Sequence, residues 1–228
     1  MSVFWMIVIF MITVYLISWL FTTSKTLNSY NVASDSKTYP STDLTDPASL
    51  NYSYSVWIYV SSWDTGIVKN IFRRNVGTAS DPIYSPNVYL DSQDNKLKVD
   101  IQYKMAGNSQ AKNTTSVMNI PIQTWTNIVV SLNSKVLDVY VNGKLTKTSV
   151  IPGDPVFLKE GAVDLTPTKS FTGYTSRFIY YSTPMGPEDA WNIYKSGPGG
   201  NVLTSFLNKY KIKLSFIKSG TDVASITI

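Results

Sequence analysis

The segment Val136–Val150, VLDVYVNGKLTKTSV, carries the pattern that decides the fold. Two strand-like runs, Val136–Val141 and Lys144–Val150, flank the dipeptide Asn142-Gly143. Asn-Gly is a preferred pair for a two-residue type I′ turn, because both central positions of that turn need a positive φ. The segment therefore predicts an antiparallel β-hairpin.

The same period of two extends along the rest of the chain. In Lys96–Tyr103 the apolar residues share one face and the polar residues the other, which is typical of a strand with one side in water. In Leu50–Val60, large residues first alternate with Asn and Ser and then become nearly continuous. This change predicts a strand that is buried on both faces. Further strands are predicted at 67–74, 87–90, 116–120, 125–132 and 176–181, and a hairpin over 209–228 turns at Ser219-Gly220.

Helical signals are scarce. Pro187–Lys195 has proline and two acids in its first turn and Gly197 after its end, so it predicts a short helix. Residues 201–208 predict a second short turn of helix. Many short strands with almost no helix indicate an all-β, antiparallel sandwich.

Composition excludes several classes of function. The 228 residues include no His and no Cys, which removes His-based triads, disulfides and zinc-thiolate sites. Only Glu160 and Glu188 are glutamates. The net charge is a modest +5 with only three arginines, so no nucleic-acid partner is expected. The chain is predicted to be a non-enzymatic protein without a cofactor.

The first 24 residues differ from the rest of the chain. They carry no charge, and residues 3–21 are almost continuously apolar, long enough for a helix to cross a bilayer. Trp5 and Trp19 stand near the ends of the run, where indoles favour the membrane interface. A cleaved signal peptide would need a positive residue before the run, and a buried core helix is the other alternative. We expect a transmembrane anchor at 1–24, a polar tether at 25–48 and one domain at 49–228.

The side of the membrane on which the domain lies is less clearly marked. Lys25 and Lys37 follow the apolar run and favour the cytosolic side. The sequons at Asn51 and Asn113 would argue for a lumenal domain. The cytosolic side is preferred, and the tether could lie along the domain.

Five segments in order resemble the laminin-G-like, concanavalin A-like jelly-roll family. They are Tyr54–Val60, Ile71–Arg74, Ile122–Ser131, Leu137–Leu145 and Phe171–Asp189, and each is similar to a strand or turn of that family. The resemblance implies a jelly-roll sandwich that either binds partners or sugars, as lectins do, or hydrolyses glucans. A hydrolase would need paired carboxylates on one strand, and the sequence shows none.

The order of anchor, tether, jelly roll and lysine-rich hairpin resembles membrane-anchored virion proteins of large double-stranded DNA viruses. That resemblance implies a minor capsid component linking an internal membrane to the capsid shell. Its partners would be the lipid bilayer and other capsid or membrane proteins, and its domain would face the capsid from the cytosolic side during assembly. The alternative is a membrane-tethered lectin with a glycan partner.

Candidate ligand contacts are few. Asp91, Asp94 and Asp100 form the densest oxygen cluster and are weak calcium candidates, because Asp-rich turns have the same composition. Trp63 is expected to be exposed as a ligand platform, whereas Trp57, Trp125 and Trp191 are expected in the core. The terminal hairpin carries a basic stripe that either protects an edge strand or attracts acidic lipid: Lys209, Lys211, Lys213 and Lys218.

Overall fold

A computed structural model describes residues 8–13, 23–78, 80–105, 107, 109–157, 159–199, 213–218 and 221–227. Residues 8–13 are helical. None of the helices in the described ranges is long and apolar enough to cross a membrane. Most of the predicted anchor, with Trp5 and Trp19, lies outside the described residues, as do Lys209, Lys211 and the predicted helical turn at 201–208.

The chain folds as an antiparallel β-sandwich, as predicted. The strands, in chain order, are β1 (Ser24–Val32), β2 (Lys37–Tyr39), β3 (Tyr52–Val60), β4 (Lys69–Asn75), β5 (Tyr84–Leu90), β6 (Lys96–Lys104), β7 (Gln110–Met118), β8 (Thr126–Asn133), β9 (Val136–Val141), β10 (Lys144–Val150), β11 (Asp154–Pro155), β12 (Val163–Leu165), β13 (Gly173–Tyr181), β14 (Lys213–Lys218) and β15 (Thr221–Thr227).

Two large sheets form the sandwich. The six-stranded sheet has the order β1-β13-β3-β8-β9-β10, and the seven-stranded sheet has the order β11-β6-β5-β4-β12-β2 with β7 also paired to β6. The predicted terminal hairpin is present as the separate pair β14–β15. Asn142 and Gly143 have φ values of 51° and 75°, which confirms the positive φ values that the predicted type I′ turn requires.

The core lies between the two large sheets. Alternate residues of β3, among them Tyr54, Val56 and Ile58, are fully buried against Val88, Leu97 and other side chains of the seven-stranded sheet. The outer face of β3 is also buried around Trp57, because Tyr194 stacks on that indole with ring centroids 5.8 Å apart. Tyr194 belongs to the helix Pro187–Lys195, called the covering helix below, whose bounds match the prediction.

Residues 25–48 were predicted to be a polar tether that could lie along the domain. Most of the segment is built into the sandwich: β1 pairs with β13 in one sheet, and β2 pairs with β12 in the other. Ala33 and Leu44 are buried in the core. Pairing is possible because Ser, Thr and Asn side chains are tolerated on an edge strand, where one side of the backbone faces water.

The direction of β1 defines the two ends of the sandwich. We call the end at which β1 begins the near end. It also holds the beginnings of β3 and β9 and the ends of β8, β10 and β13. The opposite end, where β1 finishes at Val32, is called the far end.

Candidate functional site

Four aromatic side chains form a row across the outer face of the six-stranded sheet, towards the far end. Tyr30 of β1 stacks on Tyr174 of β13 with ring centroids 5.7 Å apart. Tyr174 lies directly opposite Tyr59 of β3, 6.2 Å between centroids, and Tyr59 contacts Trp125 at 5.8 Å. Facing residues of neighbouring strands share one face of a sheet, so adjacent strands set this spacing. We call these four residues the aromatic row.

The aromatic row is partly open to solvent. Tyr30 is 53% exposed and Tyr174 is 39% exposed, while Tyr59 and Trp125 are half-buried. The pKa of the Tyr30 hydroxyl is raised, first by burial and then by the neighbouring Tyr174. The Tyr30 hydroxyl therefore stays protonated near neutral pH and remains able to donate and accept hydrogen bonds.

A cleft of about 320 Å³ adjoins the row, and we call it the rim cleft. Tyr174 forms part of its wall, together with the apolar side chains of Val32 and Ile67. Phe171 and Gly173 also line the cleft, and its polar wall is contributed by Ser34, Ser61, Asp64, Lys169, Ser170 and Thr172. An apolar wall with a few convergent polar groups is the usual character of a small-molecule site.

Two charged side chains of the rim cleft are available to a ligand. Asp64 and Lys169 are both exposed, and neither takes part in the ion pairs found among the described residues. Ser170 is already engaged, because its Oγ accepts hydrogen bonds from the Asn70 amide at 3.1 Å and from Thr168 Oγ1 at 2.7 Å.

Glycine at position 173 allows the row to form. A Cβ atom there would lie 1.9 Å from the carbonyl oxygen of Tyr59. Since real Cβ atoms do not approach oxygen so closely, any larger residue would push β13 away from β3. Gly173 therefore sets the close approach that brings Tyr174 beside Tyr59.

Trp63 does not form the exposed platform that was predicted. Its ring is half-buried and packs against the core, and the ammonium of Lys69 lies 4.2 Å from the ring centroid. Lys69 Nζ also donates hydrogen bonds to the carbonyl oxygens of Asp64 and Ile67. Trp63 therefore anchors the loop of residues 61–68, and that loop supplies one wall of the rim cleft.

Three other tryptophans, Trp57, Trp125 and Trp191, were predicted to lie in the core, and one of the three does. Trp57 is 3% exposed, in agreement with the prediction. Trp125 is half-buried in the aromatic row. Trp191 is 42% exposed on the covering helix, where its ring contacts Tyr194.

The three aspartates proposed for calcium each have their own partners. Asp91 pairs with Lys98 at 2.9 Å, and this hydrogen bond is the main cause of its lowered pKa. Asp94 pairs with Lys96. Asp100 accepts a hydrogen bond from Thr114 Oγ1 at 2.7 Å and lies 3.3 Å from the ammonium of Lys112. Among the described residues, no three carboxylate, His or Cys side chains group as metal ligands would.

The basic stripe falls only partly within the described residues. Lys213 and Lys218 are the first and last residues of β14, paired with Thr227 and Thr221 of β15.

A family model described as the concanavalin A-like lectin/glucanases superfamily matches residues 31–189. The chain belongs to this superfamily. No curated protein sequence matches the chain.

Several solved structures are similar to this chain at low sequence identity. A tryptophan-to-alanine mutant of HCR/D has a TM-score of 0.54 and 13% identity over 88% of this chain and 45% of its own. The binding domain of botulinum neurotoxin DC in complex with rat synaptotagmin II has a TM-score of 0.49 and 15% identity, covering 64% of this chain and 36% of its own. This chain thus spans less than half of either protein.

A third structure is closer to this chain in length. Domain 4 of AbnA, a GH43 extracellular arabinanase from Geobacillus stearothermophilus, in complex with arabinotriose, has a TM-score of 0.47 and 18% identity. The match covers 66% of this chain and 70% of that domain. At 13% identity, the likeness to HCR/D with a TM-score of 0.54 supports the fold alone, and the function has to be argued from the site itself.

The aromatic row was not predicted from the sequence. Tyr30 was assigned to the tether, Tyr59 to the strand Leu50–Val60, and Tyr174 to a position just before the predicted strand at 176–181. A partial signal exists in the sequence, because Tyr59 occupies an outward position in the alternation of Leu50–Val60.

Proposed function

We propose that the chain is a non-enzymatic glycan-binding module and that the aromatic row with the rim cleft is its binding site. The observation that carries this proposal is the exposed Tyr30–Tyr174 pair beside a cleft with polar walls. Membership of a superfamily whose description includes lectins is consistent with it.

The chemistry of the site suits a sugar. A pyranose ring has apolar C–H groups and a rim of hydroxyls, so it needs apolar contact and hydrogen-bond partners together. Tyrosine offers an apolar ring with a polar tip and loses little conformational entropy on binding. The Asp64 carboxylate and the Lys169 ammonium in the adjoining cleft can accept and donate charge-assisted hydrogen bonds.

The distribution of acids supports binding rather than hydrolysis. A retaining glycosidase needs two carboxyl groups about 5 Å apart. Asp64 supplies the one carboxylate in the described lining of the rim cleft. Glu160 lies in the loop before β12, and Glu188 in the first turn of the covering helix, so the two glutamates lie on different parts of the fold.

We also propose that residues 1–24 anchor the domain in a membrane. The support is their sequence, with no charge and a continuous apolar run over residues 3–21. The role in a virion, linking an internal membrane to capsid protein, stays a prediction from the architecture.

A glycan array probed with the full chain in detergent micelles tests the binding site. We expect selective glycan binding, and we expect Tyr30→Ala and Tyr174→Ala each to weaken it by about tenfold, or roughly 1.4 kcal/mol. Tyr84→Ala is the matched control, since Tyr84 lies on the other sheet, where its ring stacks on Arg73. Binding should survive a calcium chelator, because Asp91, Asp94 and Asp100 are already engaged. Absence of glycan binding, or equal affinity in all variants, would contradict the proposal.

A further inference from the structure

The start of β1 is fixed to the sandwich immediately after the apolar run. The carbonyl oxygen of Thr23 accepts hydrogen bonds from the Ser182 amide at 2.9 Å and from Ser182 Oγ at 3.3 Å. Only Thr22 separates Thr23 from Phe21, the last residue of the run. Two residues of extended chain span at most about 7 Å, so the end of the apolar run lies within about that distance of Thr23.

We infer that the sandwich stands on the bilayer in a fixed orientation, with its near end against the lipid headgroups and its far end pointing away. This inference rests on the membrane anchor proposed above. The covalent link decides which end meets the bilayer, because exposed apolar side chains occur at both ends, including Ile67 and Met118 at the far end.

The near end is held together as one surface. Ser49 Oγ donates to the Ser182 carbonyl oxygen at 2.9 Å, and the Ser134 amide donates to Asn51 Oδ1 at 2.7 Å. The Ile151 amide in turn donates to the Lys135 carbonyl oxygen at 2.7 Å. These bonds connect the loop before β3, the β8–β9 turn and the end of β10 to the point at which the apolar run enters the domain.

The side chains of this surface suit a membrane interface. Leu50 is 61% exposed, and the facing pair Val136 and Val150 is 37% and 67% exposed. Lys135 lies beside them, where it pairs with Asp154 at 2.8 Å. Small apolar groups bordered by lysine can enter the headgroup region while the ammonium stays in water.

The orientation determines how far the proposed binding site lies from the bilayer. Tyr30 is six residues along β1 from Ser24, so the aromatic row lies roughly 20 Å further from the bilayer than the start of the strand. The rim cleft lies further still along the same direction, around Val32. The proposed glycan site therefore faces outward from the membrane.

Because the chain has no cysteine, single-cysteine variants report each end separately. Leu50→Cys and Val150→Cys place a fluorophore at the near end, and Ile67→Cys and Met118→Cys place it at the far end. The full chain is reconstituted in vesicles of phosphatidylcholine and phosphatidylserine that carry a nitroxide quencher on the headgroup. We expect loss of emission from the near-end labels and unchanged emission from the far-end labels.

A linker insertion provides the matched control. About ten Gly and Ser residues placed between Thr22 and Thr23 should abolish the difference between the two ends, because a flexible chain of that length frees the domain from one orientation. Equal quenching at both ends of the natural chain would overturn the fixed orientation. Failure of the chain to float with vesicles would overturn the anchor as well. Glycan binding is measured separately in detergent, so its loss would refute the proposed function without affecting this inference.

Discussion

Lys69 shows how one residue shapes the rim cleft. Its side chain is fully buried, yet its ammonium is satisfied by the carbonyl oxygens of Asp64 and Ile67 and by the face of Trp63. Burial lowers the pKa of the Lys69 ammonium, while Asp64 and Asp91 act in the opposite direction. The loop of residues 61–68 thus folds around a cation, and the same loop places Ser61 and Asp64 in the rim cleft.

Replacement of Lys69 by methionine should therefore destabilise the domain. The volume is nearly kept, but two carbonyl groups lose a charged donor, which costs about 1–3 kcal/mol for buried groups. Urea unfolding monitored by circular dichroism measures the loss, with Lys147→Met on the exposed strand β10 as the control. Unfolding of Lys69→Met at the same urea concentration as the natural chain would contradict this prediction.

At the scale of elements, β1 shows why part of the fold was not predictable. Its sequence, SKTLNSYNV, lacks a regular alternation because the register with β13 shifts between Thr26 and Asn28. Such a β-bulge places consecutive residues out of phase, and a pattern search with a period of two then fails. What marks β1 as a strand is its pairing with residues some 150 positions away, which a local pattern does not contain.

Removal of residues 25–48 should consequently lower the free energy of unfolding. A fragment of residues 49–228 loses β1, β2 and the buried side chains of Ala33 and Leu44, whereas a fragment of residues 23–228 keeps them. We expect the shorter fragment to be less stable by at least about 3 kcal/mol, as for the loss of one large core side chain. Urea unfolding of the two fragments compares them directly. Equal free energies of unfolding for the two fragments would indicate that residues 25–48 serve only as a tether.

Elements whose conformation is set by residues close together in the sequence were predictable, and features that need several strands side by side were not. The β9–β10 turn is signalled by Asn142 and Gly143, and the covering helix by Pro187, its first-turn acids and Gly197, so both were predicted with correct bounds. The aromatic row needs β1, β13 and β3 side by side. Trp63 was misjudged although Lys69 is only six residues away, because a pattern with a period of two does not show that the ammonium covers the ring or that the ring packs against the core.

At the scale of the molecule, the core is unusual for its buried tyrosines. Tyr54 and Tyr180 are fully buried, and Tyr52 and Tyr140 nearly so. Burial is the main cause of the raised pKa of each of these four hydroxyls. The pKa of Tyr89 is raised to about 12, first by burial and then by Asp100. The whole chain has no His, so no histidine titrates near neutral pH.

These tyrosines predict unfolding in alkali. A hydroxyl with a raised pKa in the folded state keeps its proton, while in the unfolded chain it ionises near pH 10. The stability that it contributes is complete below about pH 10 and is lost as the pH rises towards about 12, because the unfolded chain then binds fewer protons. We expect the free energy of unfolding to be nearly constant between about pH 6 and 9 and to fall steeply above about 10.

Tyr54→Phe should move the alkaline midpoint of unfolding to higher pH, since one fewer buried group must ionise. Tyrosinate absorbance and far-ultraviolet circular dichroism, recorded together, measure this. Full ionisation of the tyrosines near pH 10 with the sheets intact would show that the core does not hold them in the neutral form.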